Sequence, residues 1–247
     1  CRTELVLTTL FSIDVSTAVL SRLDIRCCQT PLASVEDVEP ECIIRFAEHM
    51  EHSSEYAMED ASTPGFVFTS DSDEYAAFRV TFTGIKFQGD SLSEYESVSP
   101  FIGFSLPVTG ALAFLLIRSC VFEHTQQGIN VSGNVDVVVS RSVFMDLGSE
   151  GSSMVGAGGA IGVNATSSNT VSILKSVFVN NSILSDEGGG ALAINEASLI
   201  IRDSRFDANT AFAMDDPDHG GLIGGRGGAI YVNGPASSVS IIGSHFD

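Results

Sequence analysis

Six phenylalanines share one upstream signature, which limits the fold more than any other feature of the chain. Phe178 follows Val171, Ile173 and Ser176, placed seven, five and two positions before it. Phe206 follows Leu199, Ile201 and Ser204, and Phe246 follows Val239, Ile241 and Ser244. Phe144 follows Val137, Val139 and Ser142, while Phe122 follows Leu115, Ile117 and Cys120. In the Phe87 copy the apolar pair is Val80 and Phe82, with Ile85 at the small position. A degenerate first copy reads Leu23, Ile25 and Cys28, with Thr30 in place of the phenylalanine.

Parity within the template dictates local shape. Residues at minus seven and minus five lie on one face of a strand, because side chains alternate. The odd step from minus five to minus two would turn the small residue outward in a straight strand, so a corner lies between them. Leu174–Lys175, Arg202–Asp203, Ile242–Gly243, Arg141 and Gly84 fill that place, mostly polar residues or glycine, as a corner requires. A second apolar pair precedes each template: Ile129 and Val131, Ile161 and Val163, Leu192 and Ile194, Ile230 and Val232. From its first member to the phenylalanine takes 15, 17, 14 and 16 residues, whereas the return from one phenylalanine to the next pair takes 7, 17, 14 and 24.

Each unit therefore has a constant wall and one variable excursion. Units this short bury no core alone, so they stack as a solenoid. Equivalent positions then lie one above another, roughly 4.8 Å apart, a distance that suits offset stacking of phenylalanine rings. Phe87, Phe122, Phe144, Phe178, Phe206 and Phe246 are expected to form that stack. Ser132, Asn164, Asn195 and Asn233 occupy equivalent turns and are expected to form a hydrogen-bonded ladder. The expected fold is all-β, a right-handed parallel β-helix with excursions on one side.

The tetrapeptides GGAI (Gly158–Ile161 and Gly227–Ile230) and FxxN (Phe178–Asn181 and Phe206–Asn209) resemble the repeats of the chlamydial polymorphic outer-membrane proteins and related pectin-lyase-like surface proteins. The resemblance covers roughly residues 110–247; Gly189–Leu192 reads GGAL, and Phe122 and Phe144 lack the asparagine. It implies a right-handed β-helix in a surface-exposed passenger or adhesive protein. The motif is scaffold and carries no chemistry.

Charge narrows the partners. The formal net charge of −19 argues against nucleic acid, whose phosphates demand lysine and arginine, and against unaided binding of acidic polysaccharides or anionic membrane surfaces. No stretch reaches the roughly 20 apolar residues of a membrane span. The chain ends one residue past Phe246, within a repeat, so residues 1–247 are expected to be a single segment of a larger protein that continues beyond both ends. Segment 31–78 carries 12 acidic residues against Arg45 alone and is expected to be an insertion between rungs, with a short amphipathic helix near residues 40–52. Cys1, Cys27, Cys28, Cys42 and Cys120 show no CxxC pair and are disulfide candidates whose pairing spacing does not choose. Sequons at Asn130, Asn164 and Asn180 favour an extracellular or cell-surface glycoprotein.

Sites of chemistry are sparse. Asp215, Asp216, Asp218 and His219 are the residue types of β-helix polygalacturonases, yet they sit within five residues of one another, whereas glycosidic acid–base work needs carboxylates flanking a bond. A solvated acidic loop is the better reading. Asp71 and Asp73, with Asp215, Asp216 and Asp218, supply hard oxygen ligands and are the Ca²⁺ candidates; no other cofactor is expected. His49 and His52 with Glu48 and Glu51 miss the HExxH spacing of zinc peptidases. The outward template positions, Val138, Ser172, Ile200 and Ser240, are not catalytic types. The expectation is a non-catalytic structural or adhesive solenoid that meets protein or glycan partners, or further copies of itself, along its excursion face. The alternative is a polysaccharide-binding or polysaccharide-cleaving β-helix enzyme.

Overall fold

The computed structural model describes residues 3–7, 11–14, 22–26, 42–46, 65–70, 73, 75–89, 101–124, 127–149, 158–166, 168–184, 188–216, 221–224, 227–235 and 237–247. Every regular element among them is a strand. Three parallel sheets run along the stack. The first wall holds Phe11–Asp14, Phe66–Thr69, Ile102–Ser105, Ile129–Ser132, Ile161–Asn164, Leu192–Asn195 and Ile230–Asn233. The second holds Arg22–Arg26, Arg79–Thr83, Ala113–Arg118, Val135–Ser140, Thr170–Leu174, Ser198–Arg202 and Val239–Ile242. The Phe wall holds Thr3–Leu7, Cys42–Phe46, Ile85–Gln88, Val121–Glu123, Val143–Met145, Val177–Val179, Arg205–Asp207 and His245–Phe246. The chain visits first, second and Phe wall in turn, so each circuit is one coil of a parallel β-helix.

Register follows the template. Val137 pairs with Val171, Val171 with Leu199, and Leu199 with Val239 along the second wall. Phe87, Phe122, Phe144, Phe178, Phe206 and Phe246 form one column, with ring centroids 4.6, 4.5, 4.8, 4.7 and 4.8 Å apart. Burying each ring contributes roughly 1.5–3 kcal/mol, and the stacked geometry adds about 0.5–1.5 kcal/mol per pair. Phe68 and Phe104 stack in the same way on the first wall, at 4.7 Å. In the last coil the inward residues Val239, Ile241 and Phe246 are 49%, 46% and 41% exposed.

The corner expected before each phenylalanine is a single residue in the left-handed region, three positions upstream. Gly84, Ser119, Arg141, Lys175, Asp203 and Gly243 have φ of 69°, 52°, 52°, 51°, 51° and 61°. Side chains disfavour this conformation. The stack holds it: Arg141 N–H donates to Leu174 O, and Lys175 N–H to Arg202 O, both at 2.9 Å. The glycine pairs have a different cause. A Cβ on Gly159 would stand 2.0 Å from Gly190 O, and one on Gly190 2.2 Å from Gly228 O. Successive coils touch backbone to backbone there, which only glycine permits.

The expected helix is absent from Cys42–Phe46, which is a Phe-wall strand with Ile43 opposite Lys86 and Ile44 opposite Phe87. A run of five residues holds too few turns to separate helical from strand periodicity, and the open edge of Ile85–Gln88 decides the matter. Ile44, not Thr30, occupies the phenylalanine position of that coil; Cys28, Thr30 and the rest of 40–52 lie outside the described residues. Segment 31–78, expected as an insertion, contributes Cys42–Phe46 and Phe66–Thr69 to the walls.

Candidate functional site

The excursions leave the wall at a second corner, two residues after each phenylalanine. His124, Asp146, Asn180 and Ala208 have φ of 55°, 53°, 52° and 51°. Beyond it, excursions stack into a fourth sheet, with Gly148–Ser149 beside Ser182–Leu184 and the latter beside Thr210–Asp216. Asparagines anchor this departure. Asn181 Nδ2 donates to Phe144 O at 3.1 Å and to Asn209 Oδ1 at 2.8 Å, while its Oδ1 accepts from Leu147 N–H at 3.3 Å. Asn209 Nδ2 repeats the bond one coil on, to Phe178 O at 3.0 Å. These are the asparagines of FxxN, and they fasten each excursion to the coil before it.

A second ladder runs through the small residue of the template. Cys120, Ser142, Ser176 and Ser204 each donate their backbone N–H to the hydroxyl one coil further, at 3.1–3.2 Å. Each of those hydroxyls donates to the carbonyl two residues before it, as Ser176 Oγ does to Leu174 O at 3.0 Å. The serine is thus needed for its hydroxyl as much as for its size. Recurrence of serine, not merely of a small residue, was the signal in the sequence.

The expected turn ladder differs in kind. Ser132, Asn164, Asn195 and Asn233 do stack in register. Their side chains do not form the rungs: Asn195 Oδ1 is buried without a partner, and Asn233 Oδ1 accepts from the adjacent Gly234 N–H at 2.9 Å. The backbone there already pairs coil to coil, as Gly133 N–H does with Asn164 O, Ala165 N–H with Asn195 O and Glu196 N–H with Asn233 O. The hydrogen-bonding side chains sit instead at the corners, where backbone groups lose their partners.

The acidic Ca²⁺ candidates fall mostly outside the described residues. Asp215 and Asp216 end the strand Thr210–Asp216, which pairs antiparallel with Gly221–Gly224. Asp71, Asp218, His219, His49 and His52 lie outside the described residues, as do the side chains of Asp215 and Asp216. Asp73 Oδ2 accepts from Thr109 Oγ1 at 2.6 Å. Among the described residues no group of three His, Cys, Asp or Glu side chains is placed to hold a metal.

Cys120 corrects the disulfide expectation at that position: it is a free, fully buried thiol donating to Arg118 O at 3.4 Å. Burial pushes its pKa up from 9.0 to about 12. Cys1, Cys27 and Cys28 lie outside the described residues, and Cys42 is described only in its backbone. Of the sequon residues, Asn164 and Asn180 are exposed and Asn130 is half-buried. Asn180 donates to Asp146 Oδ1 at 2.7 Å.

Electrostatics on the walls is local. Lys86 Nζ meets the largely buried Glu123 carboxylate at 2.5 Å, and Arg205 pairs with Asp207. Arg22 and Arg26 converge on Asp24, where the Arg22 hydrogen bond, foremost, holds the carboxyl below its ordinary pKa. Among the described residues no helix is long and apolar enough to cross a membrane. Comparison with known families, curated proteins and solved structures finds no match for this chain.

Proposed function

We propose that this chain is a non-catalytic structural or adhesive solenoid segment of a larger extracellular or cell-surface protein. The observation that carries the reading is the division of each coil into a constant wall and a variable excursion, with successive excursions collected in one sheet on one side. A packed wall gives a stiff support, and loops displayed from such a support are where solenoid proteins meet partners. The tetrapeptides that resemble the chlamydial surface repeats support the same reading: their glycines and asparagines serve coil-to-coil contacts. The exposed Asn164 is open to a glycan, which fits an extracellular setting.

The experiment is direct. Purified protein is incubated with a panel of neutral and acidic glycans, with and without Ca²⁺, and the products are assayed for new reducing ends or unsaturated sugars. No release at any condition is expected; release of oligosaccharides would replace this proposal with the enzymatic alternative.

A further inference from the structure

The chain as a whole is strongly acidic, but one edge of the stack is not. The outward column that ends the second wall runs Thr83, Arg118, Ser140, Leu174, Arg202 and Ile242. Beside it runs the left-handed corner column, which includes Arg141 and Lys175. Four successive coils therefore present one base each on this edge: Arg118, Arg141, Lys175 and Arg202. All four are exposed. The ion pairs among the described residues involve Arg22, Arg26, Lys86 and Arg205 instead. The acid nearest in the corner column, Asp203, has its carboxylate turned onto Gly243 in the following coil. On the Phe-wall side the neighbouring outward residues are the uncharged Val121, Val143 and Val177, followed by Arg205, which pairs with Asp207.

We propose that this edge binds a linear sulfated polysaccharide lying along the stack axis. Bases recur once per coil, at roughly the 4.8 Å strand spacing. A pyranose chain with one anion per sugar advances at a comparable rate. An extended polypeptide presents side chains on one face roughly every 6.6 Å, and a strand of duplex DNA rises roughly 3.4 Å per phosphate, so neither keeps step with the coils. The bases also occupy two adjacent columns, Arg118 and Arg202 in the one that ends the wall and Arg141 and Lys175 in the corner column. A tetrahedral sulfate offers oxygens in several directions and reaches guanidinium and ammonium groups in both columns, whereas a planar carboxylate matches a single fork. The net charge of −19 describes the average surface; coil stacking gathers the exceptions on one edge.

The test uses immobilised heparin as the probe, with salt elution and a titration of affinity against salt. The unaltered protein is expected to be retained at low salt. Arg141→Gln with Lys175→Gln is expected to lose about tenfold in affinity per base, ~1.4 kcal/mol each, and to lower the salt slope by about one per base. Arg22→Gln, removed from this edge and paired with Asp24, leaves retention unchanged. Circular dichroism of each variant verifies the fold. No retention on heparin, or retention unaffected by the double substitution, overturns the proposal. Equal affinity for a polyuronate overturns the sulfate assignment, and tighter binding of single-stranded DNA overturns the polysaccharide. A solenoid without this ligand is still a solenoid, so failure here leaves the preceding section standing.

Discussion

The ring of Phe178 lies 4.7 Å from that of Phe206, with the two planes 1° from parallel. The two residues belong to different coils, so their contact is a coil-to-coil bond of the kind on which solenoid stability rests.

Replacing Phe178 by alanine is expected to destabilise the protein by about 3–5 kcal/mol, because it opens a cavity between two rings that cannot collapse around it. Phe246→Ala, at a position 41% exposed and covered on one side only, is expected to cost well under half of that. Urea unfolding of both variants makes the comparison. Equal losses would show that stability does not come from the column.

Two neighbouring glycines should behave in opposite ways. Gly190→Ala places a methyl 2.2 Å from Gly228 O and 2.4 Å from Thr210 N, against backbone that has nowhere to move. The loss is expected to reach about 3 kcal/mol or more, or to prevent folding. Gly228→Ala meets nothing nearer than Asn209 O at 3.7 Å and should stay within about 0.5 kcal/mol of the parent. Thermal unfolding midpoints would separate them.

Asn181→Ala strands Leu147 N–H, which its carboxamide now satisfies, and removes a second bond from Phe144 O. An unsatisfied buried group costs about 1–3 kcal/mol. Hydrogen exchange should show the Leu147 amide losing protection ahead of amides in the Phe wall. Unchanged protection at Leu147 would mean that the fourth sheet holds itself in place.

Cys120 is expected to resist thiol reagents until the protein unfolds, since a buried thiol with a pKa of about 12 supplies almost no thiolate at neutral pH. Below pH 9.0 its burial adds no pH dependence. Between 9.0 and about 12 the unfolded state has released the proton that the folded state keeps, so stability falls as pH rises through that window. Cys120→Ser removes the effect and is expected to be tolerated, because serine fills the equivalent place in the next coils. The slope of stability against pH, compared between parent and Cys120→Ser, checks it; identical slopes would refute the assignment.

Much of the fold was legible because the template repeats. Seven, five and two positions before each phenylalanine, residue type followed the inside–outside alternation, and the parity break at minus three located a corner that the structure places at Lys175 and Asp203. The strand Cys42–Phe46 was not legible, since five mostly apolar residues fit helix and strand alike until Ile85–Gln88 lies beside them. The place of the polar ladder was not legible for a related reason. Asn164 and Asn195 are conspicuous in the repeat, but their neighbouring backbone is already paired, while Ser176 and Asn181 sit where it is not.

Sequence by itself determined that this chain coils, which residues point inward and that the excursions differ in length, because burial of apolar side chains is a short-range rule written residue by residue. Tertiary structure alone decided which polar atoms meet across coils, that Cys120 stays a thiol, and that Arg118, Arg141, Lys175 and Arg202 share an edge. Such meetings join residues a full coil apart, and the length of each coil is set by excursions whose path local pattern does not encode.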